Sequence, residues 1–222
     1  MSPNEIIEVR GVLFDMDGVL VDSTGSAERC WHRWAVHFGV PNADKMVLPH
    51  GIRAVDIMER LKPDVDKVEG LRFIEDIEIA DTVGLRVLPG VRELLQHLPS
   101  DRWAIVTSAT RRLLLARLGV AQLPIPERVI SAELVTRGKP DPEPYQRGAE
   151  LVGATPSDCV VVEDAPSGVK AGLLAGCRVL GVEGTHNESQ LREAGATWVV
   201  STLEHVAAQS RGDGITLTLQ SR

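Results

Sequence analysis

Short runs of β-branched and aliphatic residues recur along the chain with helical patterns between most of them, and this alternation limits the fold more than any other feature. The runs are IIEVRGVLF (6–14), RWAIVTS (102–108), RVISA (128–132), CVVVE (159–163), CRVLGV (177–182) and TWVVS (197–201). Each has the length and residue types of a strand rather than of a helix. The intervening stretches GVRELLQHL (90–98), RRLLLARLGV (111–120), PEPYQRGAELVGA (142–154) and SGVKAGLLAGC (167–177) space their apolar residues at helical intervals. Strands that alternate with helices are joined by right-handed crossovers, which produces a mainly parallel sheet covered on both faces. Functional groups on such a sheet gather at the carboxyl ends of its strands.

One segment departs from the alternation. Between Ser23 and Arg86 the pattern is helical only, in AERCWHRWAVHFGV, RAVDIMERL and VEGLRFIEDIEIADTVG, and VLPGVREL then restarts the strand–helix rhythm with a Pro-Gly turn. The expected fold is therefore α/β: a Rossmann-like core of residues 1–22 and 87–222 with helices on both faces of its sheet, plus an inserted α-helical cap of residues 23–86 that can rock over the strand ends. Trp31, Trp34 and Phe38 recur at spacings of three and four and read as the core of that cap. Near the C-terminus GITLTL reads as an edge strand. No internal repeat or low-complexity tract interrupts the chain.

The first run ends in FDMDG. Asp15 and Asp17 are two apart, so a backbone that stays extended through them puts both carboxylates on one side of the strand end. Two such carboxylates repel unless a cation lies between them or one keeps its proton, and either arrangement is useful chemistry. Gly18 permits a tight exit turn. DxD alone also fits a charged turn, so the other strand ends must decide.

AIVTSAT ends in Ser108, followed by Ala109, and offers a hydroxyl and backbone N–H groups to a phosphate oxygen, although Ser and Thr often only cap helices. TRGKPDPEPY places Lys139 before Pro140, which disfavours a helical conformation for the lysine, and a fixed ammonium can neutralise a phosphoryl group. VVVEDAPSGVKAG carries Glu163 and Asp164 off a strongly apolar strand, where carboxylates suit a hard cation such as Mg²⁺.

In this order the DxDG, Ser, Lys-Pro and Glu-Asp segments resemble the four motifs of the haloacid dehalogenase superfamily of phosphotransferases, over nearly the whole chain. The resemblance implies that Asp15 is the nucleophile, forming an aspartyl-phosphate, and that Asp17 is the general acid and base. It implies a Mg²⁺ held by the carboxylates of Asp15 and Asp164 and the backbone carbonyl of Asp17, with Glu163 acting from behind or through water. Ser108, Lys139 and the amides after Asp15 would hold the transferring phosphoryl group.

LPHGIRAVDIM (48–58) is similar to the substrate-facing cap segment of sugar and polyol phosphatases, and the core stretches are similar to those of glycerol-3-phosphatases and 2-deoxyglucose-6-phosphatases in the β-phosphoglucomutase-like subfamily. Here Arg53 would meet a phosphate or, with His50, Gly51 and Asp56, the hydroxyls of the substrate. The alternative for Arg53 and Asp56, three apart on a helix, is a plain ion pair. The expected activity is Mg²⁺-dependent hydrolysis of small sugar or polyol phosphate monoesters. A β-phosphoglucomutase-like isomerase is the second reading, weakened because the histidine characteristic of that group falls at Ala27. A non-catalytic regulatory module is a third, weakened because all four motifs are present.

A net charge of −7 disfavours nucleic-acid and membrane-surface partners, which call for a basic patch. The three cysteines form no CxxC pair and fit a reducing compartment. The opening residues do not read as a signal peptide and no run is long enough to span a bilayer. The expected partner is therefore a small phosphate ester, with no nucleic acid and no membrane, and the expected location is the cytoplasm. A monomer is expected because the cap already covers the site.

Overall fold

The computed structural model describes residues 5–212 and 214–220. Residues 1–4, on which the expectation of no signal peptide partly rests, and residues 213, 221 and 222, all within the expected core range, lie outside the described residues.

The chain begins with β1 (Glu5–Val9) and β2 (Gly11–Phe14), reaches β3 (Val21–Asp22), and then enters the helices α1 (Thr24–His37), α2 (Ala54–Leu61) and α3 (Lys67–Ala80) before returning through β4 (Arg86–Val87). After it come α4 (Val91–His97), β5 (Trp103–Val106), α5 (Arg111–Ala121), β6 (Val129–Ile130), α6 (Glu143–Leu151), β7 (Cys159–Glu163) and α7 (Pro166–Ala175). The chain closes with β8 (Arg178–Val182), α8 (Glu188–Glu193), β9 (Trp198–Val200), β10 (Val206–Arg211) and β11 (Gly214–Leu219).

Six strands form one parallel sheet in the order β6-β5-β2-β7-β8-β9. Period-two alternation divides its residues between two cores. Val12 and Phe14 of β2 face α4 and α5, whereas Leu13 faces Tyr145, Val169 and Leu191 of α6, α7 and α8. The chain runs from β2 outward to β5 and β6, then returns to β7 on the other flank of β2. The carboxyl end of β2 is thus the point where the strand order reverses, which is where open α/β sheets bind ligands.

Two expectations need correction. IIEVRGVLF is not one strand: it breaks at Arg10, so that β1 joins a separate antiparallel sheet in the order β1-β11-β10 while β2 enters the parallel one. GITLTL, expected at an edge, is the central strand of that small sheet, paired with β1 on one side and β10 on the other. Its alternate residues Ile215, Leu217 and Leu219 are buried against the α4 side of the core, which period two explains once a partner lies on each side.

The inserted helices carry a core of their own, built on Trp31, Trp34, Ile57, Met58 and Ile74. Trp34 donates its indole N–H to the Gly70 carbonyl at 3.0 Å and packs between the tilted rings of Trp31 and Phe38. The Asp66 carboxylate accepts from the amides of Val68 and Glu69, fixing the start of α3. Val21 pairs with Val87 and Asp22 with Arg86, so the two chain segments that join the helices to the core leave it side by side. The cysteines Cys30, Cys159 and Cys177 are buried and free, and among the described residues no helix is long and apolar enough to cross a membrane.

Candidate active site

Asp15 follows β2 directly, and its amide donates to Val162 O of β7 at 3.0 Å, so it stands at the sheet's switch point. The chain then turns: Gly18 has φ +80° and donates to Val21 O at 2.9 Å. A side chain at Gly18 would also run into the Asp164 carboxylate, so the position needs glycine for conformation and for space. Because this turn replaces an extended backbone, the two carboxylates of DxD part company. Asp17 Oδ1 accepts from Ser23 Oγ at 2.6 Å and pairs with Arg117 Nη1 at 2.8 Å, while Asp15 joins Lys139 and the acids at the end of β7.

There Asp15, Glu163 and Asp164 each offer a carboxylate oxygen, all within 4.8 Å of one another, and all three are buried. Lys139 reaches them from the loop after β6. Its ammonium lies 3.0 Å from Asp15 Oδ1 and donates to Glu163 Oε1 at 2.7 Å and to Val106 O at 3.0 Å, which uses its three protons. Glu163 is saturated. Oε1 also accepts from Tyr145 OH at 2.8 Å, and Oε2 accepts from the amides of Asp164 and Ala165, both at 3.1 Å. Any side chain at Gly168 would strike this carboxylate, so α7 starts with a glycine against it. Glu163 accordingly orients Lys139, and its lone pairs are spent on protein donors. Thr185, on the loop after β8, donates its hydroxyl to Asp164 Oδ2 at 2.5 Å.

Three buried carboxylates face one ammonium. Burial and the neighbouring acids push Asp15 up to about 7 despite Lys139, and burial with Glu163 and Asp15 raises Asp164 well above the carboxylate range. Tyr145 is raised by burial and by Glu163, so it stays a proton donor. An all-oxygen donor set with surplus negative charge and two incompletely satisfied carboxylates fits a hard divalent cation.

Over this cluster lies a cavity of about 100 Å³ between core and cap. Of the residues singled out in the sequence, Asp15, Asp17, His50, Gly51, Ser108 and Ala109 line it. Arg53 and Asp56 do not. Arg53 Nε and Nη2 grip the Asp56 carboxylate at 2.8 and 3.0 Å, and Nη1 donates to the carbonyls of Val135 and Thr136 across the domain boundary. The guanidinium is a clasp between cap and core, and its five donors leave little for a substrate. Two more clasps lie beside it: Ser108 Oγ donates to Gly51 O at 2.8 Å and Ser167 Oγ to His50 O at 3.0 Å. The Ser108 hydroxyl, expected on a phosphate, is thus given to the cap, and the Ala109 amide donates to Thr107 Oγ1 at 3.0 Å. His50 is held below its ordinary range by burial and by His186, whose ring lies 6.0 Å away.

Sequence reasoning missed the far wall. Glu75, Glu78, Thr110, Arg117 and Thr185 all line the cavity, and so does Trp31, which was assigned wholly to the cap core. Arg117, on α5, is buried and bridges the two units, pairing with Asp17 and, at 3.0 Å, with Glu78 of α3. Its Nε has no hydrogen-bond partner. A signal was present: Arg117 continues the buried face of Leu113, Leu114 and Leu118, and Glu78 stands one turn from buried Ile74. A charge at a core-facing helical position needs a partner, and only the fold names it.

The chain is similar to characterised proteins over most of its length. It shares 40% identity with the hexitol phosphatase A of Escherichia coli, covering 92% of this chain and 96% of that protein. It shares 32% identity with the 2-deoxyglucose-6-phosphate phosphatase 1 of Saccharomyces cerevisiae, covering 94% of each. Its fold superposes on a β-phosphoglucomutase of Clostridium difficile with a TM-score of 0.74 at 20% identity, over 88% of this chain and 92% of that one. Residues 9–176 match the family of haloacid dehalogenase-like hydrolases, with all four motif segments inside the match, and the chain belongs to that family.

Proposed function

We propose that this hydrolase is a Mg²⁺-dependent phosphatase of small sugar or polyol phosphate monoesters, with residues 23–86 as its cap and the β3–β4 pair as the hinge. The observation that carries the reading is the buried Asp15–Lys139–Asp164 cluster at the sheet's switch point, opening into a small cavity roofed by the cap. The phosphatase names of the relatives support the same substrate class.

Asp15 attacks phosphorus, forming a bond from its carboxylate oxygen as the ester P–O bond breaks. Lys139 fixes the attacking carboxylate through Oδ1, and Glu163 and Tyr145 fix Lys139. Asp17, whose two partners share one oxygen, gives a proton to the departing alkoxide from the other, then takes one from the water that hydrolyses the aspartyl-phosphate. The carboxylates of Asp15 and Asp164 and the carbonyl of Asp17 would hold Mg²⁺, which when bound neutralises the phosphoryl oxygens and keeps Asp15 ionised. The Ser108 hydroxyl and the amides after Asp15 meet the phosphoryl group when the ester displaces the contacts they make within the protein. His50 and Gly51 border the leaving group. Ala27, where the mutases carry histidine, lines the cavity without a proton-transferring group, which favours hydrolysis over isomerisation. The protein acts as a cytoplasmic monomer.

The test is phosphate release with Mg²⁺ from glycerol, hexose, deoxyhexose, hexitol and nucleotide monophosphates, with β-glucose 1-phosphate monitored for glucose 6-phosphate. Release from sugar or polyol esters is the expected result, and Asp15→Asn lowers it by about 10⁴-fold or more while circular dichroism stays native. Interconversion of the glucose phosphates without release would establish the isomerase instead.

A further inference from the structure

The two ends of the cavity differ in what they offer a phosphate group. At the inner end Asp15 borders the cavity, with Lys139 and the donor set for a divalent cation directly behind it. The far wall is α3, which turns Leu71, Ile74, Glu75 and Glu78 inward on one helical face. Among the described residues that line the cavity, Arg117 is the only lysine or arginine, and both its terminal nitrogens are held by Asp17 and Glu78. Glu75 accepts from Thr110 Oγ, and Arg112 reaches it only at 3.4 Å while lying 2.6 Å from Asp76. Four carboxylates, Asp17, Glu75, Asp76 and Glu78, therefore share three guanidinium groups, of which Arg72 reaches only Asp76, at 4.0 Å. His50 is held below its ordinary range by burial and by His186, which disfavours its cationic form, and Arg53 is locked into the clasp outside the cavity.

We propose that Glu75 makes the site selective for monophosphates: its carboxylate accepts hydrogen bonds from the hydroxyls of an uncharged leaving group and repels a second phosphate carried at the far end of the substrate. The inference rests on the phosphatase reading and narrows its substrate class. A phosphate dianion beside an acidic wall in a partly closed cavity, with no unpaired cation to meet it, is disfavoured by on the order of 10²-fold relative to a hydroxyl. The same wall opposes isomerase chemistry of the kind that passes through a doubly phosphorylated sugar.

The test compares kcat/KM for glucitol 6-phosphate and glucitol 1,6-bisphosphate in the Mg²⁺-loaded wild type, Glu75→Gln and Glu75→Lys. The wild type should prefer the monophosphate by about 10²-fold, Glu75→Gln should reduce that preference by about tenfold, and Glu75→Lys should reduce it further. The ratio is unaffected by the fraction of enzyme that is folded, and Glu75→Gln, which keeps an acceptor for Thr110, carries the test if the lysine variant does not fold. Equal wild-type rates on the two esters, or an unchanged ratio in Glu75→Gln, overturn the inference and leave the phosphatase reading standing. No hydrolysis of any sugar or polyol monophosphate by the wild type overturns both.

Discussion

The phosphoryl end of the cavity and its cap wall solve the same problem, a buried cluster of charge, in different ways. At the phosphoryl end the partners come from β2, β7, α6 and the loop after β6, all parts of one core, and Glu163, Lys139 and Tyr145 have their hydrogen bonds filled by protein. At the cap wall the partners come from two units. Arg117 and Arg112 belong to α5 of the core, whereas Glu75, Asp76 and Glu78 belong to α3 of the cap, and the Arg117 Nε is left without a partner. Bonds within one unit persist when the cap moves, and bonds between units do not. The proposed nucleophile and its lysine rest on the first kind, and the wall proposed to sort leaving groups rests on the second.

The largest effect that separates the two regions is expected at Lys139. Lys139→Ala leaves Asp15 and Glu163 as buried charges without their counter-ion, so it should cost about 3–5 kcal/mol in urea unfolding of the metal-free protein. Phosphate release should fall by at least about 10²-fold. A stability loss under about 1 kcal/mol would mean that the cluster is solvated and the contrast with the cap wall is wrong.

The second effect concerns protons. Asp15 is raised to about 7 from 3.8 in the metal-free protein, so between those values the folded state binds more protons than the unfolded one, and stability falls as pH rises through that window. A divalent cation expels the proton, so the apparent affinity for Mg²⁺ should rise about tenfold per pH unit below pH 7 for each proton released, and level off above it. Titration calorimetry in two buffers of different ionisation enthalpy counts the protons. The Tm difference between Mg²⁺-loaded and chelated protein should widen over the same window. An affinity independent of pH would place the cation elsewhere.

The smallest effect is expected at the clasp. Arg53→Ala removes a half-buried ion pair and two bonds to core carbonyls, worth about 1 kcal/mol together. As a clasp it should change kcat/KM by less than about tenfold, and by the same factor for glycerol, hexose and hexitol phosphates. A loss confined to one substrate class would restore Arg53 to the binding site.

Much of the core site was legible because each chemical residue closes a strand, and strand ends announce themselves as a polar residue after an apolar run. Asp15, Ser108, Glu163 and Asp164 were found in this way, and their order along the chain matches the order in which β2, β5 and β7 deliver them. Tyr145 was not, because an aromatic on the buried face of α6 looks the same whether its hydroxyl meets water or a carboxylate. Arg53 stayed between two readings, a substrate contact and an ion pair with Asp56, for a related reason: a His-Gly-x-Arg segment shows that a guanidinium is near the cap mouth, but not which way it turns. The split of IIEVRGVLF at Arg10 and the central place of GITLTL were equally hidden, since period two is the same for a strand with one neighbour or two.

The sequence by itself determined the parallel α/β core and the helical insertion, because strand and helix periods are local properties of the chain, and the family resemblance of its strand-end motifs pointed to the residues proposed to handle a phosphoryl group. Only the tertiary structure decided that Asp17 turns from Asp15 toward Arg117, that Glu163 serves Lys139, and that the cap presents an acidic wall in place of Arg53. Each of those depends on partners between 18 and about 100 residues away, and electrostatic partnership is set by distance in space, on which spacing along the chain is silent.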